Sequence, residues 1–139
     1  MPARDMYHNT VRAALIKDGW TVTHDPFHIR LSRGKHLFVD LGAEQMLAAE
    51  RKAEKIAVEI KSFTRPSEMK DLEDALGQFV LYAQVMKRYA PDRTLYLAVT
   101  EEVRMNVFEE EAGSILIEDG LIRLVTFNPQ EEEIVRWIP

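Results

Sequence analysis

The chain has 139 residues, 46% of them hydrophobic and 29% charged, which suits one soluble globular domain and not a disordered chain. No apolar run approaches the roughly 18 residues that cross a bilayer; the opening "MPARDMYHNT" lacks the apolar middle of a secretory signal, and without Cys there is neither a disulfide framework nor thiolate chemistry, so a cytoplasmic protein is expected. The formal net charge of -5 argues against coating nucleic acid by charge alone, but acids that hold a cation lower the charge of the free chain, so a nuclease is not excluded.

The first segment, "RDMYHNTVRAALIKDGW", predicts a helix, with Tyr7, Val11, Ala14 and Leu15 at helical spacing and Gly19 placed to end it. "WTVTHDPFHIRLSRGKHLFVDLG" is rich in β-branched and aromatic residues, and Ser32-Arg33-Gly34 signals a turn between two short strands. Residues 43–55, "AEQMLAAERKAEK", read either as a short helix or as part of an irregular strand. "IAVEIKSF" predicts an interior strand. The clearest helix follows, with Ser67 as N-cap, Pro91 just past its end, and an apolar stripe of Met69, Leu72, Leu76, Phe79, Ala83 and Met86. "TLYLAVT" predicts a buried strand, and Thr100 can cap a brief helix through "EEVRMNVFEEE". Asp119-Gly120 marks a turn before the strand "LIRLVTF"; "NPQE" then turns the chain into a last strand, "EEIVRWI".

The order is helix, three strands, helix, strand, helix, then strands. The strand–helix–strand unit over 56–100 implies a crossover and a parallel pair, whereas the early strands are close enough for antiparallel hairpins. An α/β fold is expected, a mixed β-sheet flanked by α-helices, over a single domain spanning 1–139.

In "IAVEIKSF", alternation puts Ile56, Val58 and Ile60 on one face and Ala57, Glu59 and Lys61 on the other. One face is wholly apolar, and the other aims a carboxylate and an ammonium at one place. Upstream, "HLFVD" ends a strand at Asp40, with Phe38 on its face and Leu37 and Val39 opposite. If the two strands are neighbours, Asp40 and Glu59 converge. Two carboxylates about 4 Å apart repel by roughly 4 kcal/mol at an effective dielectric of 20, which rewards neutralisation. Mg²⁺ accepts one or two carboxylates together with water and phosphate oxygens. Lys61 on the same face can orient or deprotonate a water, or stabilise a phosphate. The same Glu-x-Lys spacing also occurs on ordinary solvated strand faces as an ion pair. Glu44 or Glu50 would replace Asp40 if the register were shifted.

Asp40 followed by Glu59-Ile60-Lys61 resembles the core of the PD-(D/E)xK restriction-endonuclease-like superfamily. "QFVLY", with Gln78 and Tyr82 one turn apart, resembles the Q-x-x-x-Y element of some of its branches; the bare alternative is a boundary amide and a half-buried tyrosine. Over its length the chain resembles the XisH family of fdxN-element excision controlling factors, through "YHNTVRAALIKDGWTVTHDP", "FVDLGAE", "IAVEIKSF", "ALGQFVLYAQV", "LYLAV" and "IVRWIP". The resemblance implies an endonuclease-like fold and a role in controlled excision of a DNA element, by Mg²⁺- or Mn²⁺-dependent phosphodiester hydrolysis. It assigns Asp40, Glu59 and the Ile60 carbonyl to the metal, Lys61 to catalysis, and Gln78 to holding the site or the DNA. Val39 stands where the superfamily's name has Pro. Many relatives carry a Glu on the first helix, where this chain offers Asp5 or His8. The alternative is a non-catalytic accessory factor that binds DNA or protein and acts with an XisI-like partner. A further copy of the chain is left open as a partner, and a membrane is not expected.

"IRLSRGKH" gathers Arg30, Arg33, Lys35 and His36 at a turn that can touch phosphates or serve as ordinary charged surface. His24 and His28 straddle a Pro-containing bend, which disfavours a zinc site, and Asp25 reads as a turn residue. The runs of Glu at 109–111 and 131–133 read as solvated faces. The tail "IVRWIP" is either a partner contact or, through Trp137, part of the core. There is no Gly-rich phosphate loop and no G-x-S-x-G elbow.

Overall fold

A computed structural model describes residues 4–47 and 52–138. Helix α1 (His8–Lys17) leads into β1 (Thr21–His24), a hairpin of β2 (Phe27–Arg30) and β3 (His36–Val39), then β4 (Leu41–Leu47) and β5 (Lys52–Ile60). Helix α2 (Glu68–Tyr89), β6 (Arg93–Thr100), α3 (Glu101–Val103) with a π turn (Arg104–Phe108), α4 (Glu111–Glu118), β7 (Leu124–Asn128) and β8 (Glu133–Ile138) follow. Six strands form one mixed sheet in the order β1-β4-β5-β6-β7-β8, with β5, β6 and β7 parallel and the outer pairs antiparallel. The β2-β3 hairpin is a separate two-stranded sheet.

Alternation along β5 divides the core. Ile56, Val58 and Ile60 pack with Val11, Leu15 and Trp20 on the α1 side, while Ala57 faces Leu72, Ala75 and Phe79 of α2 together with the hairpin's Phe27, Ile29, Leu37 and Val39. Glu59 and Lys61 therefore point to the side covered by α2 and the hairpin. Trp137 settles the reading of the tail: it packs on Trp20 and Tyr96, with ring centroids 5.5 and 4.9 Å away, and joins the core.

Several expectations hold in atomic detail. The Ser67 hydroxyl accepts from the Lys70 N–H at 3.1 Å, and Thr100 caps the next helix by accepting from Val103 N–H at 3.1 Å. The open choice over 43–55 falls to strand at 43–47 and 52–55: β4 and β5 pair antiparallel, and that ladder outweighs their helix propensity. Other expectations need correction. Five strands, not three, thus precede α2. Met69 drops out of the α2 stripe at 55% exposure, and Ala75 takes a place in it.

Helix α4 is absent from the expected order because its start carries no capping signal, although Asp119-Gly120 marks its end. Glu110 at its N-cap makes no side-chain hydrogen bond, and a Gly sits mid-helix. That Gly113 is needed: a Cβ there would lie 2.2 Å from the Val107 carbonyl oxygen and 2.7 Å from Phe108 Cα. The helix can touch the π turn only without a side chain. The chain leaves β5 through a turn in which Phe63 takes φ 54°, a left-handed value rare for a bulky residue, with its ring edge-on to Phe108 at 5.9 Å. Gly113→Ala should lower stability by about 2 kcal/mol, read as a shifted urea midpoint with an unchanged slope.

Candidate active site

The site is built by register. Leu41 pairs with Val58, so one step back along β4 Asp40 stands opposite Glu59. Asp40 is the corner at which the chain passes from hairpin to main sheet, with Val39 buried on one side of that sheet and Leu41 on the other. Its backbone N–H donates to Glu59 Oε1 at 3.3 Å, and Ile60 N–H donates to Asp40 Oδ2 at 2.7 Å. Lys61 continues the strand, its N–H donating to the Ala98 carbonyl of β6 at 3.1 Å.

Together with Lys61, Gln78, Tyr82 and Phe38, these acids line a half-open cavity of about 190 Å³. Glu59 is only 7% exposed. Burial, then the charge of Asp40, pushes its carboxyl up to about 9, and burial likewise raises Asp40. Tyr82 is raised by burial and by the two neighbouring carboxylates. No salt bridge joins Lys61 to Glu59, and Lys61 forms none with any other acid among the described residues, so the plain ion-pair reading of the Glu-x-Lys spacing fails. Gln78 Oε1 is buried without a partner among the described residues, a vacant acceptor beside the acids.

These features fit a divalent cation. Two acids that cannot both ionise cheaply gain from positive charge, and the unsatisfied amide oxygen can accept from water held there. Among the described residues no three His, Asp or Glu side chains gather as a metal cage, so any ion would need the Ile60 carbonyl and water to complete its shell.

The remaining expected residues are placed as follows. Glu44 pairs with Lys55 at 3.9 Å and Arg93 at 3.6 Å, away from Glu59, and Glu50 lies outside the described residues. Neither first-helix group acts as an acid on that helix. Asp5 precedes α1 but does border the cavity, and its oxygens accept from Tyr7 N–H at 2.9 Å and Ser62 N–H at 3.0 Å. His8 is buried and meets Asp25 at 2.7 Å, so Asp25 is an anchor for the N-terminal segment as well as a turn residue. His28 meets His36 rather than His24. Arg30, Arg33 and Lys35 are exposed at and beside the hairpin turn.

Arg4 escaped the sequence reading. It lines the cavity from a segment that precedes α1 and so has no periodicity to reveal it.

The XisH protein family model matches residues 1–135. This chain belongs to the XisH family. Two solved structures resemble it over nearly its whole length, each with 35% identity. One is an XisH family protein from Nostoc punctiforme PCC 73102, with a TM-score of 0.86, covering 97% of this chain and 100% of that one. The other, an fdxN element excision controlling factor protein from Anabaena variabilis, has a TM-score of 0.85 and covers 98% of this chain and 100% of that one. A search of curated proteins found no match. No helix among the described residues of this XisH-family chain is long and apolar enough to cross a membrane.

The buried Glu59 predicts how one part of stability follows pH. Unfolded, Glu59 loses its proton near 4.5; folded, near 9. Between those values the folded state holds the extra proton, so the contribution of Glu59 to metal-free stability is fullest below 4.5 and falls as pH rises toward 9. Glu59→Gln mimics the protonated acid and should flatten that decline, leaving stability at pH 5 nearly unchanged and raising it at pH 8 by roughly 2–4 kcal/mol. Urea titrations in EDTA across pH 5–9 provide the measurement.

Proposed function

We propose that this XisH-family chain is a divalent-metal-dependent DNA phosphodiester hydrolase of the PD-(D/E)xK, restriction-endonuclease-like type, acting in controlled excision of a DNA element. The observation that carries the reading is the meeting of the buried carboxyl of Glu59 with the half-buried one of Asp40, in a cavity that also receives Lys61. The name of the Anabaena variabilis relative, an excision controlling factor, supports the biological setting.

In this reading Asp40, Glu59 and the Ile60 carbonyl hold Mg²⁺ or Mn²⁺. When bound, the cation neutralises phosphate charge and makes water more acidic. Lys61, free of a carboxylate partner, orients a water at its ammonium or takes its proton when neutral, and stabilises a phosphate oxygen when charged. The vacant Gln78 Oε1 accepts from the same water and fixes its direction. The Tyr82 hydroxyl, kept protonated by its surroundings, is a donor at the cavity wall.

The name of that same relative also favours a second reading, since a controlling factor need not cut. The chain would then be a non-catalytic accessory that uses this fold to bind DNA or an XisI-like protein.

Nicking of supercoiled plasmid with Mg²⁺ or Mn²⁺ separates the two. Wild type should nick, and Glu59→Ala should be slower by roughly 100-fold or more. Equal activity in both would remove the site. No cleavage with any divalent metal, alongside capture of an XisI-like protein, would select the accessory reading. Independently of cleavage, Mg²⁺ should raise the melting temperature of wild type by several degrees and leave that of Asp40→Asn nearly unmoved.

A further inference from the structure

The chain carries 23 Asp and Glu among 139 residues, yet positions 26–39, "PFHIRLSRGKHLFV", contain none. That acid-free stretch is the β2-β3 hairpin. Its strands alternate cleanly: Phe27, Ile29, Leu37 and Val39 are buried, while His28, Arg30 and His36 are exposed and Phe38 is half-buried. On the outward face His28 stands opposite Phe38, and Arg30 opposite His36. The rings form a stack: His28 lies 4.6 Å from Phe38 with planes 11° apart, and 4.8 Å from His36 with planes 20° apart. A nitrogen–nitrogen hydrogen bond of 2.6 Å ties the two imidazoles, so one accepts as the neutral ring. Phe38 also borders the cavity of Asp40 and Glu59. Arg30, Arg33 and Lys35 form no salt bridge among the described residues, in a chain that pairs most of its arginines elsewhere.

From this continuity we propose that the outward face of the hairpin is a docking platform for an unpaired segment of DNA, with a base stacked on the Phe38–His28 surface beside the phosphate to be cut.

The proposal rests on the hydrolase reading for its substrate and extends it by naming the substrate's structure. Its warrant is threefold. The cavity's 190 Å³ is below the roughly 300 Å³ at which small-molecule sites begin, so it suits a phosphate and leaves sugar and base outside. The surface that a base next meets is a flat run of rings, and base–aromatic stacking is tolerant of sequence. Past the rings, Arg30, Arg33 and Lys35 are exposed at and beside the hairpin turn, without salt bridges among the described residues, where cations can meet phosphates. Duplex DNA cannot use the rings, because its base faces are already stacked on one another. An acidic chain also has little non-specific hold on a duplex, so stacking would decide preference.

Fluorescence anisotropy with a labelled 20-mer of deoxythymidine, its duplex with deoxyadenosine, and a uridine 20-mer tests this in EDTA, where no cleavage occurs. The deoxythymidine strand should bind best. Phe38→Ala should weaken it about 10-fold and leave the duplex unchanged. Phe38→Trp should restore binding, and the indole should be quenched as the strand is added. Tighter binding of duplex or of uridine, or an unquenched Trp with unchanged affinity in Phe38→Ala, overturns the proposal. Glu59→Gln separates the two readings: it should abolish nicking and keep both strand binding and, in the Phe38→Trp background, quenching. Nicking by wild type without strand preference would leave the hydrolase standing and remove the platform. Strand binding and quenching without nicking would do the reverse.

Discussion

The carboxyl of Glu59 is held out of water at the end of β5, and Asp40 is what makes that arrangement tenable. Each acid is tied to the other's strand: Glu59 accepts the backbone N–H of Asp40, and Asp40 accepts that of Ile60. These bonds lock the corner between hairpin and sheet against the last residues of β5. They also keep two acids together out of water: burial raises both toward their protonated forms, and the charge of Asp40 raises Glu59 further. The same geometry that costs stability in the free protein is what a cation would relieve. Structural strain and chemical capacity are one feature here.

The two faces of the sheet divide their tasks. Toward α1, β5 presents an uninterrupted apolar surface of Ile56, Val58 and Ile60 that packs on Val11, Leu15 and Trp20. Toward α2 it places Ala57 in the core and then, at its end, Glu59, where α2 turns Gln78 and Tyr82 to the same cavity. Polar groups thus gather at the end of a parallel strand just before its crossover helix, the usual place for ligands in open α/β sheets. The hairpin closes the near side with buried residues on its inner face and rings and cations on its outer face. In a chain of net charge -5, an acid-free hairpin beside paired acids sets two opposite electrostatic surfaces next to each other. That suits a polyanion drawn to one surface and processed at the other.

The legible parts of this molecule were those governed by short-range rules. Glu59 and Lys61 could be assigned a common face because strand alternation has a period of two; Asp40 meets them not through the strand that "HLFVD" ends, which belongs to the separate hairpin sheet, but as the residue that leads into β4, the true neighbour of β5. The caps at Ser67 and Thr100 were equally local. Arg4 and Asp5 were less accessible, since residues ahead of a helix follow no repeat; the bond from Ser62 N–H to Asp5 ties that segment beside the cavity. Residues 43–47 were ambiguous because "AEQML" favours a helix locally, and only the ladder with β5 makes it strand. Met69 had the right spacing for the α2 stripe but lies beyond what the sheet covers.

By itself the amino-acid order determined the α/β character, the faces of β5 and the identity of the acids and the lysine, because each follows from alternation, capping or composition within a few residues. Tertiary structure alone decided that Asp40 and not Glu44 stands opposite Glu59, that Lys61 stays free of an ion pair, and that the hairpin's rings border the same cavity. Those outcomes depend on register and packing between segments distant along the chain, and a one-residue slip would reverse every face while leaving each local pattern intact.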